Sequence, residues 1–298
     1  MEKTPVEIID VEIKRGSSEY PKLLAEIPDS PGSLFVKIKK GIPLELSRPA
    51  AAVVGTRKAT SYGESLASTT AEALAHRGLA IVSGLALGID AASHRGALRA
   101  GGRTVAVLAG GLDKIYPPQN ERLAEEILQS GGALISEYPP GTPPFKQNFL
   151  ARNRIISGLS FATVVIEAPR ISGAIQTARL AAEQGREVFV FPGGVGQPNY
   201  VGSHALIRDG ARLATSAEEI LDDLGFGTEK NGSTKQPPAG FSSAEEQAVY
   251  SLLRQAGRPL AIDKIIEETK LQPQSVGRAL ASLAIKRIIK EECGRYSI

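Results

Sequence analysis

The sequence has no tryptophan, a single methionine and a single cysteine, Cys293. A lone thiol closes no intramolecular disulfide, which fits a chain working in the reducing cytoplasm. The three histidines, His76, His94 and His204, stand far apart with no ligand spacing around them, so neither a metal nor another cofactor is expected. No run of about 18 apolar residues occurs. The opening stretch MEKTPVEIIDVEIKRGSSEY also lacks an apolar core of signal-peptide length, so nothing indicates secretion or membrane insertion. Excess charge is scarce too: the formal net charge is +3, too mild to mark a polyanion binder by bulk attraction. Any basic site must be local.

What is present is ordinary in amount and regular in order. With 298 residues, 42% hydrophobic and 22% charged, the chain has room for one large domain and a small one. From residue 50 one theme recurs: a short apolar run, a Gly-rich turn, then a helical pattern. The runs are AAAVVG (50–55), LAIVSG (79–84), TVAVLAG (104–110), ALISE (133–137), ATVVIEA (162–168) and EVFVFPG (187–193). Each is nearly all apolar, as a strand covered on both faces requires. The stretches between them, such as 63–78 and 173–185, are Ala-rich, polar on one side and closed by glycine. This alternation predicts an extended Rossmann-like, doubly wound, mostly parallel sheet over residues 45–225.

Residues 1–44 read as a tail and an irregular lead-in, because SSEYPKLLAEIPDSPGSLFVK is broken by prolines and glycines. The Gly, Pro, Ser and Lys content of FGTEKNGSTKQPPAG marks 226–240 as a linker. Beyond it the character changes. SAEEQAVYSLLRQAG, IDKIIEETK and QPQSVGRALASLAIKR form three helical patterns, with Ser243 and Gln272-Pro273 in capping positions, and RIIKEECGRYSI reads as two β segments around Gly294. Three helices and a hairpin are the order of a small C-terminal winged-helix domain, 241–298.

Ligands of an open parallel sheet bind beyond the carboxyl ends of its strands. After the first run come Gly55, Thr56 and Arg57, then Lys58, Ser61 and Gly63: glycine permits close approach, a helix start offers N–H groups, and Arg57 adds a bidentate charge. A tight turn followed by solvated charges reads equally well here. The dinucleotide fingerprint G-x-G-x-x-G is absent, so NAD is not expected. Ser83 and Gly84, with Asp90 and His94 beyond, invite a hydrolase reading, but Ser83 is not in a nucleophile elbow and a helix-start carboxylate with a packed histidine explains the set. Ser172 and Gly173 open another helix pattern, with Ser172 as its cap. Together with Ser83 and Gly84 they are candidates for an accessory pocket. Glu167, at a strand end, is a network residue or an acid.

One segment, KQNFLARNRIISGLS (146–160), combines Lys146, Phe149, Arg152, Asn153 and Arg154 just before apolar Ile155, Ile156 and Leu159. Cations for phosphates beside an aromatic face for bases suit a single-stranded nucleic acid. The alternative is a helix stapled by Phe149 with solvated arginines.

In order, VVGTRKATSYG, SGLALGIDAASH, VLAGGLDKIYPPQN, SEYPPGTPPFKQNFLARNRIISGLS, EAPRISGAIQTA and REVFVFPG resemble the DprA (Smf) DNA-processing proteins of bacteria. The resemblance spans about residues 19–298, including a winged-helix tail of the kind some members carry. It implies a non-catalytic protein that binds single-stranded DNA, usually as a homodimer, and delivers the strand to the RecA recombinase during natural transformation. The family's DNA contacts would fall on Gly55, Thr56 and Arg57, on Lys146 and Phe149, and on the Arg152-Asn153-Arg154 cluster. The chain departs from the pattern at Leu150, where proline is usual, at Gln119, where glutamate is common, and at His204, often asparagine. It also leaves no room before YPKLL for the helix-hairpin-helix or SAM-like domain of many members. The competing reading is an enzyme, a nucleotide-binding or nucleoside-monophosphate hydrolase of the LOG type. That group resembles PGGxGTxxE, whereas this chain has Gln197 for the threonine and Tyr200 for the glutamate. A promoter-reading winged helix is a third, for which the presumed recognition helix over 273–285 offers no base-reading Arg and Asn pair.

Overall fold

The structure, a computed structural model, describes residues 7–42, 49–226, 243–256, 259–286, 288–292 and 295–297. Its first elements correct the sequence expectation of an irregular lead-in over residues 7–42, the described part of 1–44. Instead of an irregular lead-in, β1 (Ile8–Lys14) and β2 (Ser33–Lys39) pair antiparallel across the short helix α1 (Lys22–Ala25). The reason is period-two patterning: in SLFVKIK, Leu34, Val36 and Ile38 point into the core while their neighbours are half-buried. The prolines and glycines that suggested irregularity occupy the connection between the two strands.

Each of the six apolar runs forms a strand: β3 (Ala50–Val54), β4 (Ala80–Ser83), β5 (Thr104–Leu108), β6 (Ala133–Ser136), β7 (Ala162–Val165) and β8 (Glu187–Val190); a short β9 (Arg212–Leu213) follows. With β1 and β2 they make one nine-stranded sheet in the order β1-β2-β6-β5-β4-β3-β7-β8-β9. Pairing is parallel from β6 through β9 and antiparallel where β2 joins β6 and β1. This is the doubly wound, mostly parallel sheet that the alternation predicts.

Helices cover both faces because strand residues alternate between them. α2 (Ser61–His76), α3 (Ile89–Arg99), α4 (Glu121–Gln129) and α8 (Ala217–Asp223) pack on the face of Ala51, Val53, Ala106 and Leu134. α5 (Lys146–Gly158), α6 (Gly173–Glu183) and α7 (Val201–Arg208) pack, with α1, on the face of Ala50, Ala52, Val54 and Val107. The chain winds outward from β3 through β4, β5 and β6, then returns through α5 to start again at β7, on the other side of β3. The turns after β3 and β7 therefore diverge at the sheet's centre, the switch point at which such sheets leave a crevice.

The second compact unit, beyond residue 227, holds α9 (Ala244–Ala256), β10 (Leu260–Ala261), α10 (Ile262–Thr269), α11 (Pro273–Ile285), β11 (Lys290–Glu292) and β12 (Arg295–Ser297). β12 pairs antiparallel with both β10 and β11, and Val249, Leu253, Ile265, Val276, Leu280 and Leu283 form its core. Ser243 opens α9 by accepting a hydrogen bond from the Glu246 N–H at 3.2 Å, and Pro273 occupies the first turn of α11. Gly294, Cys293 and all but the first residue of the expected linker lie outside the described residues. Among the described residues no helix is long and apolar enough to cross a membrane.

Candidate nucleic-acid interface

The crevice at the switch point is a cleft of about 610 Å³ bounded by the turns after β3 and β7 and by the first half of α5. Its first wall is Gly55, Thr56 and Arg57. Thr56 is buried and clamped: its N–H donates to the Glu167 carbonyl at 2.8 Å, and its carbonyl accepts from the Ile89 N–H at 3.3 Å. Gly88 has a φ of 74°, and a Cβ there would lie 2.5 Å from the Thr56 carbonyl oxygen. Only glycine lets the start of α3 close on this turn. The clamp leaves Arg57 and Lys58 exposed at the mouth.

Glu167 holds the same turn from below. Its buried carboxylate accepts from the Thr60 hydroxyl at 2.5 Å, the Thr60 N–H at 3.0 Å, the Asn199 amide at 3.0 Å and the Tyr200 hydroxyl at 3.2 Å. Of the two roles open to it in the sequence, this is the network role. The Tyr200 phenol, buried against that carboxylate, is pushed above its ordinary value, by burial first and then by the negative charge.

α5 supplies the second wall. Exposed Lys146 and half-buried Phe149 line the cleft one helical turn apart. The Arg57 guanidinium lies 4.9 Å from the Phe149 ring centroid, a cation–π contact. Tyr116 meets the same ring edge-on at 5.7 Å. Arg57 and Phe149 are thus one preorganised unit: a cation for a phosphate oxygen, resting on a flat apolar face. Tyr116, to which the sequence analysis assigns no role, belongs to it. No local signal reveals that; only the packing of the turn after β5 against α5 does.

Arg152 goes elsewhere. It is 4% exposed, and its Nη1 donates to the carbonyls of Gly84, at 2.8 Å, and Val107. A Cβ on Gly84 would stand 2.6 Å from the guanidinium, so glycine is the residue that admits it. Arg152 therefore forms the cleft floor and ties α5 to the turn after β4. Its Nε is buried without a partner. Burial pushes the guanidinium down to about 10, so it remains charged at neutral pH. Close by, burial raises the Asp90 carboxyl, opposed by the Arg152 charge and by bonds from the Ala86 and Gly84 N–H groups.

Asn153 is buried beside the cleft, its amide donating to the Gly173 carbonyl at 3.4 Å. Arg154 does not line the cleft: its Nη2 sits 2.6 Å from the Glu137 carboxylate, with both side chains about one-fifth exposed. Of the accessory pair after β4, Ser83 is fully buried and donates to the Val53 carbonyl at 2.7 Å. Ser172 and Gly173 do line the cleft, and Ser172 caps α6 by accepting from the Ile175 N–H at 3.3 Å. The Ser83, Asp90 and His94 side chains do not form a relay. His94 Nδ1 meets the Thr104 hydroxyl at 2.7 Å, and that hydroxyl donates to the Ile81 carbonyl. Thr104 is therefore the acceptor, and His94 carries its proton on Nδ1.

The fold and site together define a doubly wound α/β protein with a basic, aromatic-walled cleft at its switch point, followed by a winged-helix unit. A family model for DNA recombination-mediator protein A matches residues 12–225, and one for the DprA winged helix domain matches residues 233–294. Protein Smf of Escherichia coli is 43% identical over 265 residues, covering 88% of this chain and 70% of that protein. The structure of DNA processing protein A from Streptococcus pneumoniae superposes with a TM-score of 0.67 at 40% identity, covering 72% of this chain and 74% of that one. DNA processing protein A from Helicobacter pylori, solved for its single-stranded DNA binding mode, gives 0.64 at 31% identity, covering 72% and 95%. The chain belongs to the DprA (Smf) family of DNA-processing recombination mediators.

Proposed function

We propose that this chain binds single-stranded DNA in the switch-point cleft and breaks no bond in it. The observation that carries the reading is the Arg57 guanidinium held 4.9 Å from the Phe149 ring at the cleft mouth, with exposed Lys146 on the same wall. A flexible strand needs cations along its phosphates and a π-face for its bases, and this unit offers both within one contact. Duplex DNA keeps its bases stacked inside and would leave Phe149 without a partner. The DNA-binding behaviour of the H. pylori relative agrees with this assignment.

Gly55, Thr56 and Arg57 take phosphate together with Lys146, bases lie on Phe149, and Asn153 borders the same path. Arg152 acts through the floor that it organises, and Ser83, Gly84, Ser172 and Gly173 shape the pocket. The strand-binding domain is residues 45–225, and the winged helix, 241–298, docks a partner or duplex. The protein works in the cytoplasm as a homodimer and passes its strand to the RecA recombinase. On the competing hydrolytic reading the carboxylate that lines the cleft is Asp90, and it is already engaged by the Gly84 and Ala86 N–H groups and by the Arg152 charge.

The test is a salt titration of binding to a single-stranded oligonucleotide and to its duplex. The single strand is expected to bind more tightly. Arg57→Ala should make the salt slope shallower by about 0.7, one phosphate contact. Phe149→Ala should cost about 1–3 kcal/mol with little change in slope. Equal affinity for duplex, or indifference to both substitutions, refutes the proposal, and release of base from nucleoside monophosphates by pure protein favours the enzyme.

A further inference from the structure

The cleft does not end at α6. Its wall at Ile171 and Ser172 is shared with a second groove of about 350 Å³ between α6 and α7. The groove floor is apolar, made by Ile175 and Gly202. A Cβ on Gly202 would lie 2.4 Å from Ile175 Cδ1, so glycine is what allows the two helices to meet there. Two arginines stand on the groove: Arg170, next to the shared ridge, and Arg179, one turn beyond Ile175 on α6. Both are exposed, and among the described residues neither makes a hydrogen bond or an ion pair. Arg154, Arg186 and Arg212 on neighbouring elements are each held by a carboxylate. Ile171, on the ridge itself, is 93% exposed.

We infer that this groove is a second subsite for single-stranded nucleic acid, which takes the phosphates of the strand after it leaves the first cleft. The inference rests on the reading of the first cleft given above and extends its path. The occupant follows from continuity and charge. A strand crossing the Ile171–Ser172 ridge meets Arg170 and then Arg179, two cations that make no ion pair among the described residues, and Ile171 offers an apolar surface for the sugar or base at the crossing. Asp209 also lines the groove, and its negative charge opposes phosphates there. An acidic protein surface, including a second copy of this chain, is the other occupant that the charges admit.

The double variant Arg170→Ala/Arg179→Ala is compared with wild type and Arg57→Ala on two oligothymidylates, of about 5 and about 20 nucleotides, one near the lower end of usual single-strand site sizes and one above their upper end. For the longer strand the double variant should bind about tenfold more weakly at about 0.15 M salt, with a slope shallower by about 1.4, two phosphate contacts. For the shorter strand, held by the first cleft, it should match wild type, whereas Arg57→Ala weakens both. Asp209→Asn should tighten only the longer strand. If Arg57→Ala weakens both lengths and the double variant weakens neither, the second subsite alone is refuted. If Arg57→Ala weakens neither, the first-cleft reading falls and takes this inference with it. A loss on the longer strand accompanied by a change of mass in sedimentation would assign the groove to a contact between copies, and would overturn the proposal.

Discussion

Arg152→Met separates what the structure says of Arg152 from what its position in a basic motif suggests. Methionine keeps most of the side-chain volume and removes both Nη1 donors. Bonds from a charged group contribute about 1.5–3 kcal/mol each, and here they go to the carbonyls of Gly84 and Val107. Against that, the variant no longer buries a guanidinium. The burial that pushes this group from its ordinary value down to about 10 corresponds to roughly 3 kcal/mol. The loss of its charge, however, leaves Asp90 buried without the cation that opposes its desolvation, and stranding a buried charge costs about 3–5 kcal/mol. The net expectation is a loss of about 3–8 kcal/mol near neutral pH. The sign of the pH dependence follows from Asp90. Its carboxyl is raised in the folded state, so the folded protein holds that proton more tightly than the unfolded chain. Its contribution to stability therefore falls as pH rises from the unfolded value of 3.8. Without Arg152 the carboxyl rises further and the fall continues to higher pH. Urea unfolding followed by circular dichroism at about pH 5 and about pH 7.5 should show a larger deficit at the higher pH. A variant as stable as wild type, whose single-strand salt slope is shallower by about 0.7, would make Arg152 a phosphate ligand and refute the floor role.

Arg154 should behave as a structural ion-pair residue. Arg154→Ala and Glu137→Ala are each expected to cost about 1 kcal/mol, with a coupling of similar size in a double-mutant cycle; a change in the DNA salt slope would count against this. His94 is buried and held neutral, its imidazole pushed down to about 3 by burial first and by Arg152 and Arg95 second. Its folded value is depressed, so its stability contribution is complete above the unfolded value of 6.5 and is lost as pH falls toward about 3. Over that window wild type should lose about 1.4 kcal/mol per pH unit from this one proton. His94→Gln should remove that slope, and an unchanged acid limb in unfolding experiments would show that the histidine is protonated in the folded state.

Much of the fold can be read along the chain. The six apolar runs are legible because a strand buried on both faces must be apolar at nearly every position, and their alternation with helical patterns leaves a parallel sheet as the economical arrangement. β1 and β2 are harder to read. Their period-two alternation is short and sits on either side of a proline-rich stretch, and no local property says that they join the far edge of the same sheet through antiparallel pairing with β6. The site divides in the same way. Gly55, Thr56, Arg57, Lys146 and Phe149 stand out as residue types suited to a nucleic acid. The division of labour within RNR does not, because alternate residues of a helix face different surroundings and sequence alone does not say which surroundings those are.

The sequence by itself determined which chemistry is available: strands, Gly-rich turns at their carboxyl ends, and a segment that mixes cations with one aromatic ring. Tertiary structure decided which of those groups meet. It brought Arg57 onto Phe149 across 92 residues of chain, drew Arg152 inward to two backbone carbonyls, and turned Arg154 aside to Glu137. The physical reason is that patterning records the burial of single residues along one element. Contacts between elements depend on strand order, and the order here places β3 and β7 side by side only after the chain has built the other half of the sheet.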